Sequence, residues 1–272
     1  MQKVQANRAV SWLGSAFRMI RRYPGAFLSM GLVYALISLI PLIGPITVVL
    51  LGPALLGGMI HAGQCADSQG PARHRPQLGD MFRAFQGDHK LGSLIALSLP
   101  AIVVIVVGLA ILGSVVVQAK ANGSWPSNMA AIQPEILLKL LLPGLLHWIP
   151  LLMVLSLLAY ALTFFGIARA MLESCSAWTA MGSSARAAWR NPGAFLLTLL
   201  LILAMSMLVM IPLMVVLMSI HGLWIGSLIY NTALYALLGP TLYFAWKDVF
   251  GSGQAGTSKN LQSNQQETTI QV

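Results

Sequence analysis

Acidic side chains are scarce in this chain. Asp67, Asp80, Asp88, Glu135, Glu173, Asp248 and Glu267 are the seven in 272 residues. A carboxylate pair for general acid–base work, or a carboxylate relay inside a membrane, needs acids at helical spacing within an apolar run. The sequence has no such pair. Charge of either sign is sparse, at 8% of residues, against roughly 25% in soluble domains. A water-facing surface cannot be built from that supply. Cysteine is limited to Cys65 and Cys175, which excludes a disulfide scaffold and predicts two reduced thiols. No long apolar stretch precedes Phe27, so no cleavable leader is expected and the first span should stay as the anchor. No Gly-x-Ser-x-Gly elbow, His-Glu-x-x-His helix or phosphate-cradling glycine loop occurs. No catalytic residue, cofactor or metal is therefore expected, and the chain reads as a non-enzyme.

What the chain has is apolar length. Hydrophobic residues make up 57% and the mean hydropathy is +0.77. Four stretches lack Lys, Arg, Asp and Glu: Tyr23–Ala66, Leu91–Ala119, Leu140–Ala168 and Asn191–Trp246. A spanning helix needs about 20 residues. The second and third stretches fit one helix each. The first and fourth are long enough for two. The first should break near Pro41-Leu42-Ile43-Gly44-Pro45, the fourth near Ser219-Ile220-His221-Gly222. The count is six spans. With both termini inside, only Lys120 and Lys139 of the sixteen Lys and Arg residues fall outside, as the positive-inside rule expects. The net charge of +9 is then a topology signal beside anionic headgroups, and no nucleic-acid partner is expected.

Gly14 to Leu28 returns as Gly182 to Leu196, 168 residues later and without a gap. Gly14, Ser15, Arg18, Arg22, Pro24, Gly25, Ala26, Phe27 and Leu28 recur in register. Each copy is a basic segment that ends in Pro-Gly-Ala-Phe and runs into an apolar stretch. Arg8, Ser11, Ser15, Arg18 and Arg22 share one helix face, with Val10, Leu13, Phe17 and Ile20 opposite, a pattern suited to a helix in the headgroup plane. A fainter third copy is Leu78 to Phe85. The expected fold is an all-α integral membrane protein with six transmembrane helices as three hairpins. A cytosolic amphipathic interfacial helix precedes each hairpin. The repeat is parallel, with units near 8–66, 78–170 and 176–248, in one domain over 1–250, and 251–272 form a disordered cytosolic tail.

Arg18, Arg22, Arg186 and Arg190 are the candidate contacts for anionic headgroups or a cytosolic partner. Gly52-Pro53 and Gly239-Pro240, in matching Leu-Leu-Gly-Pro runs, are candidate kinks or hinges. The stripe of Ala54, Gly58 and Ala62 suits close helix packing. His61 and Cys65 share a helix face, but two ligands do not make a closed metal site. His74 and His89 read as solvated members of a basic loop, and Arg169 with Glu173 as a helix-surface ion pair.

The run Gly52-Pro53-Ala54-Leu55-Leu56-Gly57-Gly58, followed by Leu78-Gly79-Asp80-Met81-Phe82-Arg83-Ala84-Phe85, resembles an uncharacterised family of bacterial multi-pass inner-membrane proteins. That family is distantly similar to the membrane domain attached to some glycerophosphodiester phosphodiesterases. The resemblance implies a bacterial cytoplasmic membrane and carries no catalytic residue. The expected function is a transporter-like or lipid-contacting module, its partners anionic lipids at the cytosolic face and a protein or a second copy. The alternative is a scaffold, assembly or protective subunit without a transported substrate.

Overall fold

The computed structural model describes residues 1–68, 74–86, 90–125, 134–218 and 223–251. All elements among them are helical. They are α1 (Arg8–Arg22), α2 (Pro24–Ser38), α3 (Ile43–Asp67), the 3-10 helix Leu78–Phe85, α4 (Lys90–Ala96), α5 (Leu99–Ala121), α6 (Pro134–Leu146), α7 (Ile149–Thr163), α8 (Gly166–Leu172), α9 (Ala177–Arg190), α10 (Pro192–Met218) and α11 (Leu223–Phe250). The expected break at 219–222 and the tail from 252 on lie outside the described residues, as do Arg73, His89 and Lys259.

Among the described residues, four helical runs are long and apolar enough to cross a membrane: Ile43–Asp67, Lys90–Ala121, Ile149–Leu172 and Pro192–Leu213, the second and third passing through short turns at 97–98 and 164–165. The first apolar stretch breaks where two prolines and a glycine oppose helix. Leu42 there takes a left-handed φ of 63°. The α2 piece has 15 residues, or about 22 Å of helix, short of a ~30 Å hydrocarbon core. The α11 helix is long enough, but Ser227, Asn231, Thr232 and Thr241 dilute it. The third stretch differs from the expected single helix. It divides among α6, α7 and α8, with a turn at His147-Trp148. Pro150, at the second position of α7, has no N–H to carry the ladder back to Leu146.

The chain divides into two compact units, one formed by Met1–Ser98 and the chain from Leu162 on, the other by Leu99–Ala161. The first unit centres on α2, α3 and α11. Gly31 lets α2 meet α11: a Cβ there would stand 2.2 Å from the Thr232 carbonyl. Tyr34 stacks on Tyr235, ring centroids 3.9 Å apart. Both Leu-Leu-Gly-Pro runs sit inside continuous helices. A side-chain hydroxyl serves the same carbonyl in each, three residues before the proline. Ser98 donates to Leu50 at 2.9 Å, and Thr241 donates to Leu237 at 2.7 Å. Proline removes the rung to the carbonyl four residues back, Val49 and Ala236, so each hydroxyl serves the carbonyl next to the freed one.

At one end of this unit, three acids tie the helices together. Asp248 accepts from Trp12 Nε1 at 2.6 Å and from Arg8 Nε at 2.8 Å. Asp67 accepts from Tyr243 Oη at 2.8 Å and pairs with Lys247. Glu173 accepts from Trp246 Nε1 and from Arg169 Nε, both at 2.8 Å. Lys90 Nζ donates to the Met171 carbonyl at 3.1 Å. Each acid thus holds one cation and one aromatic donor, a charge-assisted arrangement stronger than a lone surface pair.

The second unit is thinly packed. On α5, Ile111, Val115 and Ala119 are buried. Val115 would stand 2.8 Å from a Cβ on Gly144, so α5 and α6 approach closely there. Val106, Leu109, Met153 and Val154 are each more than half exposed. Side chains of that kind suit lipid and not water.

Candidate functional site

Two clefts share His74 in their lining, and the last turns of α3 wall the first of them. The 3-10 helix folds back onto α3 because α3 offers it a small-residue stripe. Ala54, Gly58 and Ala62 are buried, and a Cβ on Gly58 would stand 2.1 Å from the Met81 carbonyl. Met81 and Ala84 are fully buried against this stripe. A capping box fixes the entry: the Gln77 side chain meets the backbone of Asp80, and Gln77 N donates to Asp80 Oδ2 at 2.8 Å.

That fold-back opens a cleft of about 630 Å³ lined by His61, Gln64, Cys65, Ser68, His74, Gln77, Gly79, Asp80, Arg83 and Gln86. His61 Nε2 lies 3.6 Å from Cys65 Sγ. His74 reaches the same spot, and the ligating atoms of His61, Cys65 and His74 all lie within 4.8 Å of one another. The His74 ring is held from both sides. Its Nδ1 donates to the Arg75 carbonyl at 2.9 Å, and its Nε2 is 3.6 Å from Asp80 Oδ1.

A second cleft of about 580 Å³ is lined by Arg22, Tyr23, His74 and Arg75. The Arg22 guanidinium stands 5.5 Å above the Tyr23 ring. Two arginines and an imidazole around one cavity make a site for a phosphate or carboxylate, since the planar guanidinium donates to both oxygens of such a group.

No family model, curated protein or solved structure matches the chain. The site must be read from its own residues.

Of the four arginines singled out from the sequence, only Arg22 lines either cleft. Arg18 is exposed on α1 and donates to Ser15 Oγ at 2.9 Å. Arg186 and Arg190 are exposed on α9. Two tryptophans flank them, Trp178 at 75% and Trp189 at 87% exposure. Gly52 and Gly239 are points of contact. A Cβ on Gly52 would stand 2.6 Å from the Tyr34 hydroxyl, and one on Gly239 would stand 2.6 Å from Met59 Cβ. Arg169 and Glu173 form the expected pair, with the guanidinium also 4.9 Å over the Phe250 ring. Both cysteines are free. Burial pushes the Cys175 thiol up, which leaves little thiolate there at neutral pH.

Sequence reasoning missed Arg75, Asp80 and the arrival of His74. The signal that could have found them is three ligand-type residues, His61, Cys65 and His74, within fourteen positions beside a basic loop. The separation of His74 from α3 by a turn hid the proximity, because helical spacing says nothing across a loop.

Proposed function

We propose that this chain is a non-enzymatic integral membrane protein that binds the anionic phosphate groups of lipids at its cytosolic face. The observation that carries the reading is the gathering of segments at one pole. Arg8 with Trp12, Asp67 with Lys90, Arg169 with Glu173, and Trp246 to Asp248 belong to four separate parts of the chain. Charge bias assigns all four to the cytosolic side. Hydrogen bonds join them at one end of the bundle. Next to this pole lies the Arg22–His74–Arg75 cleft. In this reading α2 and α11 complete six spans. The short α2 is sheltered by α11, whose polar residues are in turn covered, and α1 and α9 lie in the headgroup layer with Trp178 and Trp189 at the interface.

Lipid contact is favoured over transport by the packing between α3 and α11. Met59 against Gly239 and Tyr243 against Gly63 leave those two helices in close contact where a path between the Gly-Pro runs would have to open. A bacterial inner membrane follows only from the sequence resemblance, and a scaffold role remains the alternative. The test is co-purified lipid. Wild-type protein from mild detergent should retain anionic phospholipid. Arg22→Glu with Arg75→Glu should lose most of it while the protein stays folded, and each added lysine or arginine near an anionic surface is worth about 1 kcal/mol. Retention unchanged by both reversals would refute the reading. A tightly co-purifying protein with no lipid would favour the scaffold.

A further inference from the structure

We propose that His61, Cys65 and His74 form a binding site for a borderline divalent transition-metal ion, with zinc the best fit. The inference does not rest on the lipid reading, and the two clefts have only His74 in common. The site's elements are one thiol and two imidazoles, the donor set that zinc prefers over calcium or magnesium. The His61 and Cys65 pair is preset by the helix, four residues apart on one face with 3.6 Å between Nε2 and Sγ. In a tetrahedral zinc site, bonds of about 2.0–2.3 Å place ligand atoms roughly 3.3–3.8 Å apart. The three ligating atoms here lie within 4.8 Å of one another, so a shift of about 1 Å closes the set. His74 is the ligand able to make that shift. It sits on an irregular connector ahead of the 3-10 helix, not inside a packed helix.

The surroundings fit the same role. Metal-bound histidines donate their second ring N–H to a carbonyl or carboxylate, which fixes the tautomer. His74 Nδ1 donates to the Arg75 carbonyl, which leaves Nε2 with its lone pair. Asp80 stands 3.6 Å from that nitrogen and adds negative charge beside the cation. Gln64, Gln77 and Arg83 line the same cleft, and three protein ligands leave a fourth position open. Water or a small anion can occupy it. On binding, Cys65 gives up its thiol proton to solvent and the sulfur bonds the metal, so one proton is released per ion at neutral pH.

The test uses the full chain in detergent, stripped with a chelator and titrated with Co²⁺. One equivalent should give visible bands of four-coordinate cobalt and a near-ultraviolet thiolate-to-cobalt band, and Zn²⁺ should remove both. Cys65→Ser should abolish the thiolate band. His74→Ala, at a partly exposed connector where folding is not at stake, should weaken binding, and Asp80→Asn should weaken it by about tenfold through positioning. Cys175→Ser should change nothing. Zn²⁺ should also protect Cys65 from alkylation. The proposal is overturned if no thiolate band forms, if His74→Ala titrates like the wild type, or if the band survives Cys65→Ser. Loss of the metal site in Cys65→Ser with lipid retention intact would separate this inference from the lipid reading, because Cys65 lines only the first cleft.

Discussion

The segments around α1 and α9 present the same basic junction in two ways. In both, the helix ends on an arginine. One residue of near-identical backbone follows, Tyr23 at φ −133° and ψ 58° and Asn191 at φ −129° and ψ 50°. Then a proline opens the next helix. The buried stripe is also in register. Ala9, Trp12, Leu13, Ala16 and Met19 of α1 match Ala177, Ala180, Met181, Ser184 and Ala187 of α9. The stripe differs in size and chemistry. The α1 stripe buries large side chains and anchors Trp12 on Asp248. The α9 stripe is small and close-packed, with Ser184 Oγ accepting from Phe165 N at 3.0 Å. The identical Arg18/Arg186 and Arg22/Arg190 positions are exposed in both copies. Packing partners therefore differ while the outward basic face and the turn are shared, as expected if both faces meet the same charged surface.

That contrast can be broken most forcefully at the shared anchor. Phe27 and Phe195 are both buried, so Phe27→Ala and Phe195→Ala should each destabilise by about 3 kcal/mol, read as thermal or denaturant unfolding in detergent. A large effect at one and none at the other would end the equivalence. Next come the unlike stripes. Ala180→Leu should cost about 2 kcal/mol through overpacking of the close α8–α9 contact, whereas the matching position of α1 natively holds the larger Trp12. A smaller difference lies at the junction residue. Asn191 Oδ1 accepts from Val4 N at 2.7 Å and its Nδ2 donates to the Gln2 carbonyl at 3.2 Å. Asn191→Ala should cost about 1–2 kcal/mol and free residues 1–7 to limited proteolysis. Tyr23→Ala should stay within about 0.5 kcal/mol. The smallest effect is expected at the shared glycines. A Cβ on Gly182 meets nothing within 4 Å, and one on Gly14 meets only Arg18 Nη1 at 3.7 Å. Gly14→Ala and Gly182→Ala should be neutral or stabilise by up to ~1 kcal/mol, because alanine is the better helix former.

Local features were readable from the chain. The break between α2 and α3 follows from Pro41 and Pro45, and the proline openings of α2 and α10 follow from Pro24 and Pro192. The stripe at Ala54, Gly58 and Ala62 reads as close packing, and it receives the 3-10 helix. Long-range features were not readable. Trp12 and Asp248 are 236 positions apart, and no periodicity links them. The apolar face read for α1 grouped Val10 and Phe17 with Leu13, yet Val10 and Phe17 are exposed while Ala9, Trp12 and Ala16 are buried. Composition alone cannot tell a lipid-facing apolar side chain from a core one, since both avoid water. The same ambiguity hid His74. A histidine in a basic loop carries no sign of which helix the loop returns to.

The central claim is that the two basic junctions lie at one membrane face. Single cysteines at positions 18 and 186, introduced as Arg18→Cys and Arg186→Cys in a chain with Cys65→Ser and Cys175→Ser, measure this directly with an impermeant maleimide. Both should label in inside-out vesicles and stay unlabelled in intact cells, while Lys120→Cys should behave in the opposite way. Labelling of positions 18 and 186 from opposite sides would contradict the account.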